Sequence, residues 1–209
     1  MTDERLPADL AQVPAHESPP ARSESALERH DSSALWTFND LRDLPEGNRY
    51  EIFDGSLLVS PTPNVPHCNA TDDLADLLKR QAPASLRVSG VGFGVSIRGG
   101  KSYLVPDVIV LRRSAVEQPK ATLLPPDVLL VVEVLSPSNP GNDLVLKRHE
   151  YAVAGIPNYW IVDQEARTVT VLRLDDTDKR YVESVVVRAG EPWKTDDPFP
   201  LTLDPADFL

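Results

Sequence analysis

The sequence predicts an α/β fold with a mixed central sheet flanked by helices, preceded by an N-terminal helix and a β-hairpin. Apolar residues recur at helical spacing in some segments and at every second position in others. These segments follow the order α, β, β, α, β, β, β, α, β, β, β, which is typical of α/β packing around one mixed sheet. The almost continuously apolar run from Val128 to Leu135 indicates a strand buried on both faces.

The first part of the chain differs in composition from the rest. Residues 1–34 are rich in Pro, Ser, Ala and Glu, with no sustained hydrophobic period and few bulky apolar residues. Such a segment cannot bury enough apolar surface to fold, so we expect a disordered or loosely docked tail. We prefer a solvated tail to a partner-binding arm. Residues 35–209 are long enough for a single domain with its own core.

The first predicted elements are a short helix and a hairpin. The helix starts near Thr37, with Asp40 three residues later as in a capping box, and Pro45 ends it. Two strands, Arg49 to Phe53 and Ser56 to Ser60, flank the dipeptide Asp-Gly at 54–55, which is a strong signal for a two-residue hairpin turn. A helix from His67 to Gln81 follows, because its leucines fall at helical spacing.

The remaining elements are mostly strands. Alternation with period two predicts one long strand from Leu86 to Ile97, then a turn at Gly99-Gly100 and a strand from Tyr103 to Leu111. Asp143 to Ala154 reads as a helix, with Asp143 as N-cap and Gly155 beyond its end. Three further strands are predicted at Tyr159 to Val162, Thr168 to Leu174 and Arg180 to Val187.

Composition and charge exclude several classes of protein. Lys and Arg number 21 against 32 Asp and Glu, a net charge of -11, which argues against non-specific coating of nucleic acid and against polybasic membrane binding. Between Lys79 and Arg148, however, ten basic residues face five acids, which allows a local basic cleft. A single cysteine, Cys68, excludes an internal disulfide framework and a Cys-based zinc cluster. With no apolar run near 18 residues and no secretory signal, we expect a cytoplasmic protein.

Two acids lie inside or beside apolar strands. Asp107 precedes Val108-Ile109-Val110, and Glu133 lies within the run from Val128 to Leu135. A buried carboxylate needs a cation or hydrogen bonds to replace its lost hydration. Each acid taken singly could cap a turn or pair with an arginine. If the two strands are neighbours, a divalent ion would relieve the repulsion between the acids, and hard oxygen ligands favour Mg²⁺ or Mn²⁺.

At these acids the sequence resembles a known family. Pro106-Asp107 and Glu133-Val134-Leu135-Ser136 resemble the PD-(D/E)XK nuclease signature, and more narrowly a large bacterial family of restriction-endonuclease-like proteins of unknown biological role. The resemblance covers about Trp36 to Leu209. The other motifs that carry it are Tyr50 to Gly55, Ser60-Pro61 with His67, Pro137-Ser138, Asp143-Leu144 with Lys147 and Tyr151, and Gly155 to Asp163.

The resemblance implies a restriction-endonuclease-like core and metal-assisted hydrolysis of phosphodiester bonds, most simply in DNA. Asp107 and Glu133 would hold Mg²⁺ or Mn²⁺, with the carbonyl of Val134 as a further ligand. The general signature places a lysine where this chain has Leu135, whereas the narrower family takes its lysine from the following helix. Lys147 is therefore the candidate to orient or deprotonate the attacking water; the alternative is a solvated lysine beside Arg148.

Two further residues are candidates with open alternatives. Glu51, on the first hairpin strand, could ligate a metal directly or through water, or could face outward. His67, at the start of its helix, could contact a phosphate or carry a proton, or could satisfy only local hydrogen bonds.

Three functions are compatible with these residues. The first is a Mg²⁺-dependent endonuclease whose partner is nucleic acid, with no membrane partner. The second is a catalytically inactive nuclease fold that binds nucleic acid or protein. The third is a metal-dependent hydrolase of another phosphate ester. By analogy with nucleases of this fold, a homodimer is possible, through the hairpin at 54–55 or the late strands.

Overall fold

A computed structural model describes residues 34–90, 92–117, 122–135 and 142–209. The predicted N-terminal tail therefore lies outside the described residues, apart from Ala34. So do Ser136, Pro137 and Ser138 of the family motif.

The described residues form two α-helices, twelve strands and several 3₁₀ turns. The helices are α1 (Val65–Gln81) and α2 (Asn142–Val153). The strands are β1 (Asn48–Phe53), β2 (Ser56–Pro61), β3 (Leu86–Ser89), β4 (Val95–Ile97), β5 (Ser102–Leu104), β6 (Val108–Arg112), β7 (Val128–Val134), β8 (Asn158–Asp163), β9 (Thr168–Asp175), β10 (Arg180–Arg188), β11 (Trp193–Thr195) and β12 (Leu201–Leu203).

These strands build a mixed central sheet and a smaller antiparallel one. The central sheet has six strands in the order β10-β9-β8-β7-β6-β3, with β7 and β8 parallel and the other pairs antiparallel. The second sheet has four strands in the order β2-β1-β5-β4, and β11 pairs with β12. The prediction of an α/β fold with a mixed central sheet is confirmed.

The central sheet is covered on both faces, as its apolar strands require. Leu130 and Val132 of β7 pack into a core with Leu74 of α1 and its neighbours. Val131 faces the other way and packs into a core with Tyr151 of α2. Helix α2 therefore covers the sheet face toward which Glu133 points by alternation along β7.

Within the described ranges, no helix combines the length and apolar character needed to cross a membrane.

Three predicted elements differ from the structure. The N-terminal helix is a single 3₁₀ turn, Asp40–Asp43. The long strand predicted over residues 86–97 divides into β3 and β4, which belong to different sheets, because the chain leaves the first sheet through a glycine-rich segment in which Gly92 has a φ of 75°. The next predicted strand divides into β5 and β6 around Pro106, which has no N–H to donate to a ladder. The strands predicted for a single sheet are therefore divided between the two larger sheets, and β11 and β12 form a separate two-stranded sheet.

The hairpin prediction is confirmed in detail. Strands β1 and β2 pair in antiparallel register from Asn48 opposite Pro61 to Phe53 opposite Ser56. The two turn residues, Asp54 and Gly55, have φ values of 45° and 80°. Positive φ at both central residues is the geometry that makes Asp-Gly a preferred hairpin turn.

Gly94, just before β4, leaves no space for a side chain. A Cβ placed there would lie 2.0 Å from the ring of Tyr103, which itself packs on Phe38 at a centroid distance of 4.9 Å. We expect Gly94→Ala to lower the free energy of unfolding by about 1–3 kcal/mol, because the ring must leave its packed position. Urea denaturation measures this. The control is Gly94→Ala introduced into a Tyr103→Ala background, where the ring that the Cβ would meet is absent; equal losses in the two backgrounds would contradict the steric explanation.

Candidate active site

All the site residues predicted from the sequence line one cavity of about 280 Å³. It lies where the hairpin, the start of α1, the start of β6, the end of β7 and α2 meet. The predicted residues on its wall are Glu51, His67, Asp107, Glu133, Val134 and Lys147.

Asp107 is held from three directions. It lies one step before β6, and the register that pairs Val108 with Val132 sets it beside Glu133 on β7. Its backbone N–H donates to the carbonyl of Val132 at 3.0 Å, and its Oδ2 accepts from the N–H of Val134 at 2.8 Å. Its Oδ1 accepts from Arg49 at 2.6 Å. Only 7% of Asp107 is exposed, and protein groups bind both of its carboxylate oxygens in place of water.

The protonation of Asp107 follows from these partners. Burial would raise the pKa of this carboxyl, but the hydrogen bond from His67 and the charge of Arg49 outweigh burial and hold the pKa well below its usual range. The His67 Nε2 lies 3.2 Å from Oδ2, and this hydrogen bond raises the pKa of the histidine. His67 reaches this position because Asn64 caps α1 by accepting from the His67 N–H at 3.0 Å. The His67 ring therefore contacts Asp107, in addition to the local hydrogen bond that its backbone makes at the start of the helix.

Lys147 bridges two buried carboxylates. Its Nζ lies 3.2 Å from Oε2 of Glu133 and 3.0 Å from Oε2 of Glu51. Tyr151, one helical turn further along α2, donates its hydroxyl to Oε1 of Glu133 at 3.0 Å. Lys147 is buried, so it is not the solvated lysine considered as the alternative.

Burial acts in opposite directions on the two partners. It lowers the pKa of Lys147, but the negative charges of Glu133 and Glu51 outweigh it, so the pKa of the ammonium lies above its usual value. Burial raises the pKa of Glu133, and Lys147 offsets only part of that effect because Asp107 and Glu51 repel the same charge. The ammonium therefore stays protonated between the two acids.

Glu51 comes to the cavity from the other sheet. It lies in the middle of β1 and is only 3% exposed, so it does not face outward. Its Oε1 accepts from the N–H of Val105 at 2.7 Å, and its Oε2 faces Lys147. The cavity is thus assembled at the seam between the two sheets.

Arg49 is the site residue that the sequence analysis missed. It lines the cavity and pairs with Asp107, the kind of arginine partner considered as an alternative for an isolated acid. The sequence did indicate this position, because Arg49 lies two residues before the candidate Glu51 on one strand, and their side chains therefore share a face.

Two contacts outside the cavity fix α2, which carries Lys147. Glu150 is fully buried and lies 2.9 Å from Arg98 in the turn after β4. Arg148 donates to the carbonyl of Tyr181 on β10 at 2.7 Å. These contacts, both made by residues that follow Lys147, anchor α2 to the turn after β4 and to β10.

Comparison with known proteins identifies the family. A family model described as "Uma2: Putative restriction endonuclease" matches residues 37–206. The chain belongs to the Uma2 family. The resemblance stated from the motifs is confirmed, and Uma2 membership supports a nuclease function. A search of curated proteins gave no match.

The Uma2 fold is also found among solved structures. One is a protein from Anabaena variabilis ATCC 29413, described as "a putative nuclease belonging to DUF820". The TM-score is 0.66 and the sequence identity is 20%, with 83% of this chain and 97% of that chain covered. At this identity the likeness establishes the fold alone, a mixed α/β fold.

The charges of the Uma2 cavity determine whether a metal fits. Across the described segments, no group of three or more His, Cys, Asp or Glu residues is arranged to hold a metal ion. Asp107 instead binds Arg49, and Glu133 binds Lys147. The donor chemistry nevertheless fits Mg²⁺ or Mn²⁺, because the carboxylates on the wall offer hard oxygens and outnumber the permanent cations.

The basic stretch from Lys79 to Arg148 does not gather at the cavity. Lys147 lines it, but Arg112 lies at the opposite end of β6 from Asp107, and Arg87 lies on the edge strand β3. Both arginines are exposed. The cavity thus has no excess of basic side chains of its own to attract a phosphate.

Proposed function

We propose that this Uma2 chain is a metal-dependent endonuclease that hydrolyses phosphodiester bonds in DNA. The observation that carries the proposal is the convergence of buried Asp107, Glu133, Glu51 and Lys147 on one cavity from four separate elements. Bringing buried charges together costs desolvation free energy, and fold stability alone gives little reason to retain them.

Asp107 and Glu133, with the carbonyl of Val134, would hold Mg²⁺ or Mn²⁺, and Glu51 would ligate the ion directly or through water. When bound, the ion supplies a Lewis acid that polarises the phosphoryl group and lowers the pKa of its water. The same ion would make the cavity attractive to a phosphodiester, which the carboxylates alone repel.

The reaction needs positive charge and proton transfer from the chain itself. In hydrolysis the water oxygen forms a bond to phosphorus and loses a proton, which a carboxylate of the cavity wall would accept. The bond from phosphorus to the leaving oxygen breaks, and the leaving oxygen gains a proton. Lys147 is an ammonium, so it stabilises the charge on the phosphoryl oxygens and orients the water rather than removing its proton. His67 would carry a proton to the leaving oxygen, a role supported by the position of its ring in the cavity wall.

A neighbouring cavity favours a diester over a small phosphate monoester. It has a volume of about 450 Å³ and shares Arg49, His67 and Asp107 with the first cavity. Pro63 also lines both cavities, and the further wall of the second one includes Val105. A phosphate at Asp107 would therefore have space for a substituent on each side, as the two nucleosides of a phosphodiester require.

The decisive experiment combines substrates, metals and variants. Pure protein is incubated with supercoiled, linear and single-stranded DNA and with RNA, in Mg²⁺, Mn²⁺ or EDTA. We expect DNA cleavage with either metal, none in EDTA, and recovery when Mg²⁺ is restored. Asp107→Ala and Glu133→Ala should be inactive. Asp76→Ala is the control, because it removes an exposed carboxylate outside the cavity.

Each result separates the candidate functions. Cleavage that survives both site variants would contradict the site assignment, and RNA cleavage alone would contradict the choice of DNA. Metal-independent DNA binding without cleavage would favour the inactive binding module. The cytoplasmic location and the homodimer stay predictions, and light scattering of the purified protein tests the dimer.

A further inference from the structure

Arg49 lies where the two cavities meet. Its side chain lines both and is 21% exposed, so it is neither fully packed nor free in solvent. One amino nitrogen donates to Oδ1 of Asp107 at 2.6 Å. The arginine therefore belongs to the proposed site and also borders the route by which a substrate would enter.

The rest of the guanidinium is poorly satisfied. Its Nε and its second amino nitrogen are buried, and neither has a hydrogen-bond partner in the described part of the chain. That second nitrogen lies 4.0 Å from Oε1 of Glu51, which is too far for a hydrogen bond. Buried donors without acceptors are costly, so this arginine has donors left for another ligand.

The oxygen that Arg49 holds is the one a metal would need. Oδ2 of Asp107 already accepts from the N–H of Val134 and faces His67. Oδ1 is bound by Arg49 alone among the contacts of the described residues. A guanidinium and a divalent cation on the same carboxylate oxygen repel each other, so the binding of one disfavours the binding of the other.

We infer that Arg49 is a catalytic residue that binds the phosphoryl oxygens of the substrate and that, before metal binds, serves as the counter-ion of Asp107. Arg49 leaves Oδ1 when a divalent ion takes that oxygen. Its planar donors then face the space shared by the two cavities, where they match a phosphate in bidentate fashion. The inference rests on the proposed metal-dependent function and assigns a substrate ligand within it.

The first test measures metal affinity without any reaction. Free Mn²⁺ is titrated against the full chain by electron paramagnetic resonance. We expect Arg49→Met to bind Mn²⁺ about tenfold more tightly than the wild type, because the competing cation is gone. Arg49→Lys, which keeps a cation, should remain close to the wild type. Arg173→Met is the control, since Arg173 pairs with Asp197 and lines neither cavity.

The second test measures phosphate recognition. Thymidine 5′-monophosphate is titrated calorimetrically into Mn²⁺-saturated protein. We expect both Arg49→Met and Arg49→Lys to bind it about tenfold more weakly, because lysine lacks the planar fork. Thermal melts establish that each variant is folded at the temperature used.

The outcomes distinguish this inference from the proposed function. Unchanged or weaker Mn²⁺ binding in Arg49→Met, with normal binding in the wild type, would overturn the counter-ion role and leave the metal site standing. Unchanged nucleotide binding in Arg49→Lys would overturn the phosphoryl role. A wild type that binds no Mn²⁺ would overturn both the metal centre and the inference.

Discussion

Asp107→Asn is expected to lower the rate of phosphodiester cleavage by about a thousandfold or more. The amide keeps the shape of the side chain but loses the negative charge that Arg49 and His67 now share. It would also be a poor ligand for a divalent ion. Single-turnover cleavage at saturating Mg²⁺ measures the chemical step without product release.

The same substitution separates catalysis from folding. The amide oxygen can still accept from the N–H of Val134, so one contact at the end of β7 survives. Removing the charge leaves Arg49, which is only 21% exposed, beside a neutral group, and we expect a loss of about 3 kcal/mol in unfolding free energy. Asp76→Asn, on the exposed face of α1, should change neither quantity. Near-normal cleavage by a folded Asp107→Asn variant would refute the assignment of this acid.

Lys147→Met is expected to abolish cleavage and to cause the largest loss of stability among single substitutions in the site. It leaves the carboxylates of Glu51 and Glu133 buried with no ammonium between them. Breaking a buried ion pair by removing one partner costs about 3–5 kcal/mol. Urea denaturation of the metal-free protein measures the loss, and a DNA cleavage assay measures activity.

A double variant tests the cause of that loss. Lys147→Met combined with Glu133→Gln removes one of the stranded charges, so the two substitutions should be less destabilising together than their sum. Tyr151 can still donate to the amide oxygen that replaces Oε1. Cleavage should stay absent in the double variant. Strictly additive losses would contradict the view that Lys147 neutralises Glu133.

Part of this architecture could be predicted from local sequence. The Asp-Gly pair at 54–55 determines the hairpin, because few other dipeptides tolerate positive φ at both positions. The apolar run around Glu133 identifies a central strand, and the proline before Asp107 marks the start of its neighbour. The burial of both acids follows from these strands. Lys147 required the family resemblance, since its spacing from Asp143 and Tyr151 also suits an exposed helix face.

The division into two sheets could not be predicted in this way. Alternation with period two continues from Leu86 to Ile97, so the pattern favours one strand, and the glycines at 90, 92 and 94 do not by themselves tell whether that strand is interrupted. The interruption depends on tertiary packing: Leu86 pairs with Arg112 in one sheet, and Val95 pairs with Leu104 in the other. The position of Arg49 beside Asp107, 58 residues along the chain, depends on the same arrangement.

The seam between the sheets divides the chemistry of the site between two separable parts of the chain. Asp107 and Glu133 belong to the central sheet, whereas Arg49 and Glu51 belong to a hairpin that spans residues 48–61. A mutant library confined to that hairpin can therefore vary the charges around Asp107 and Glu133 while every strand of the central sheet keeps its sequence. The hairpin is thus the segment in which the proposed turnover and metal preference can be altered separately from the central sheet.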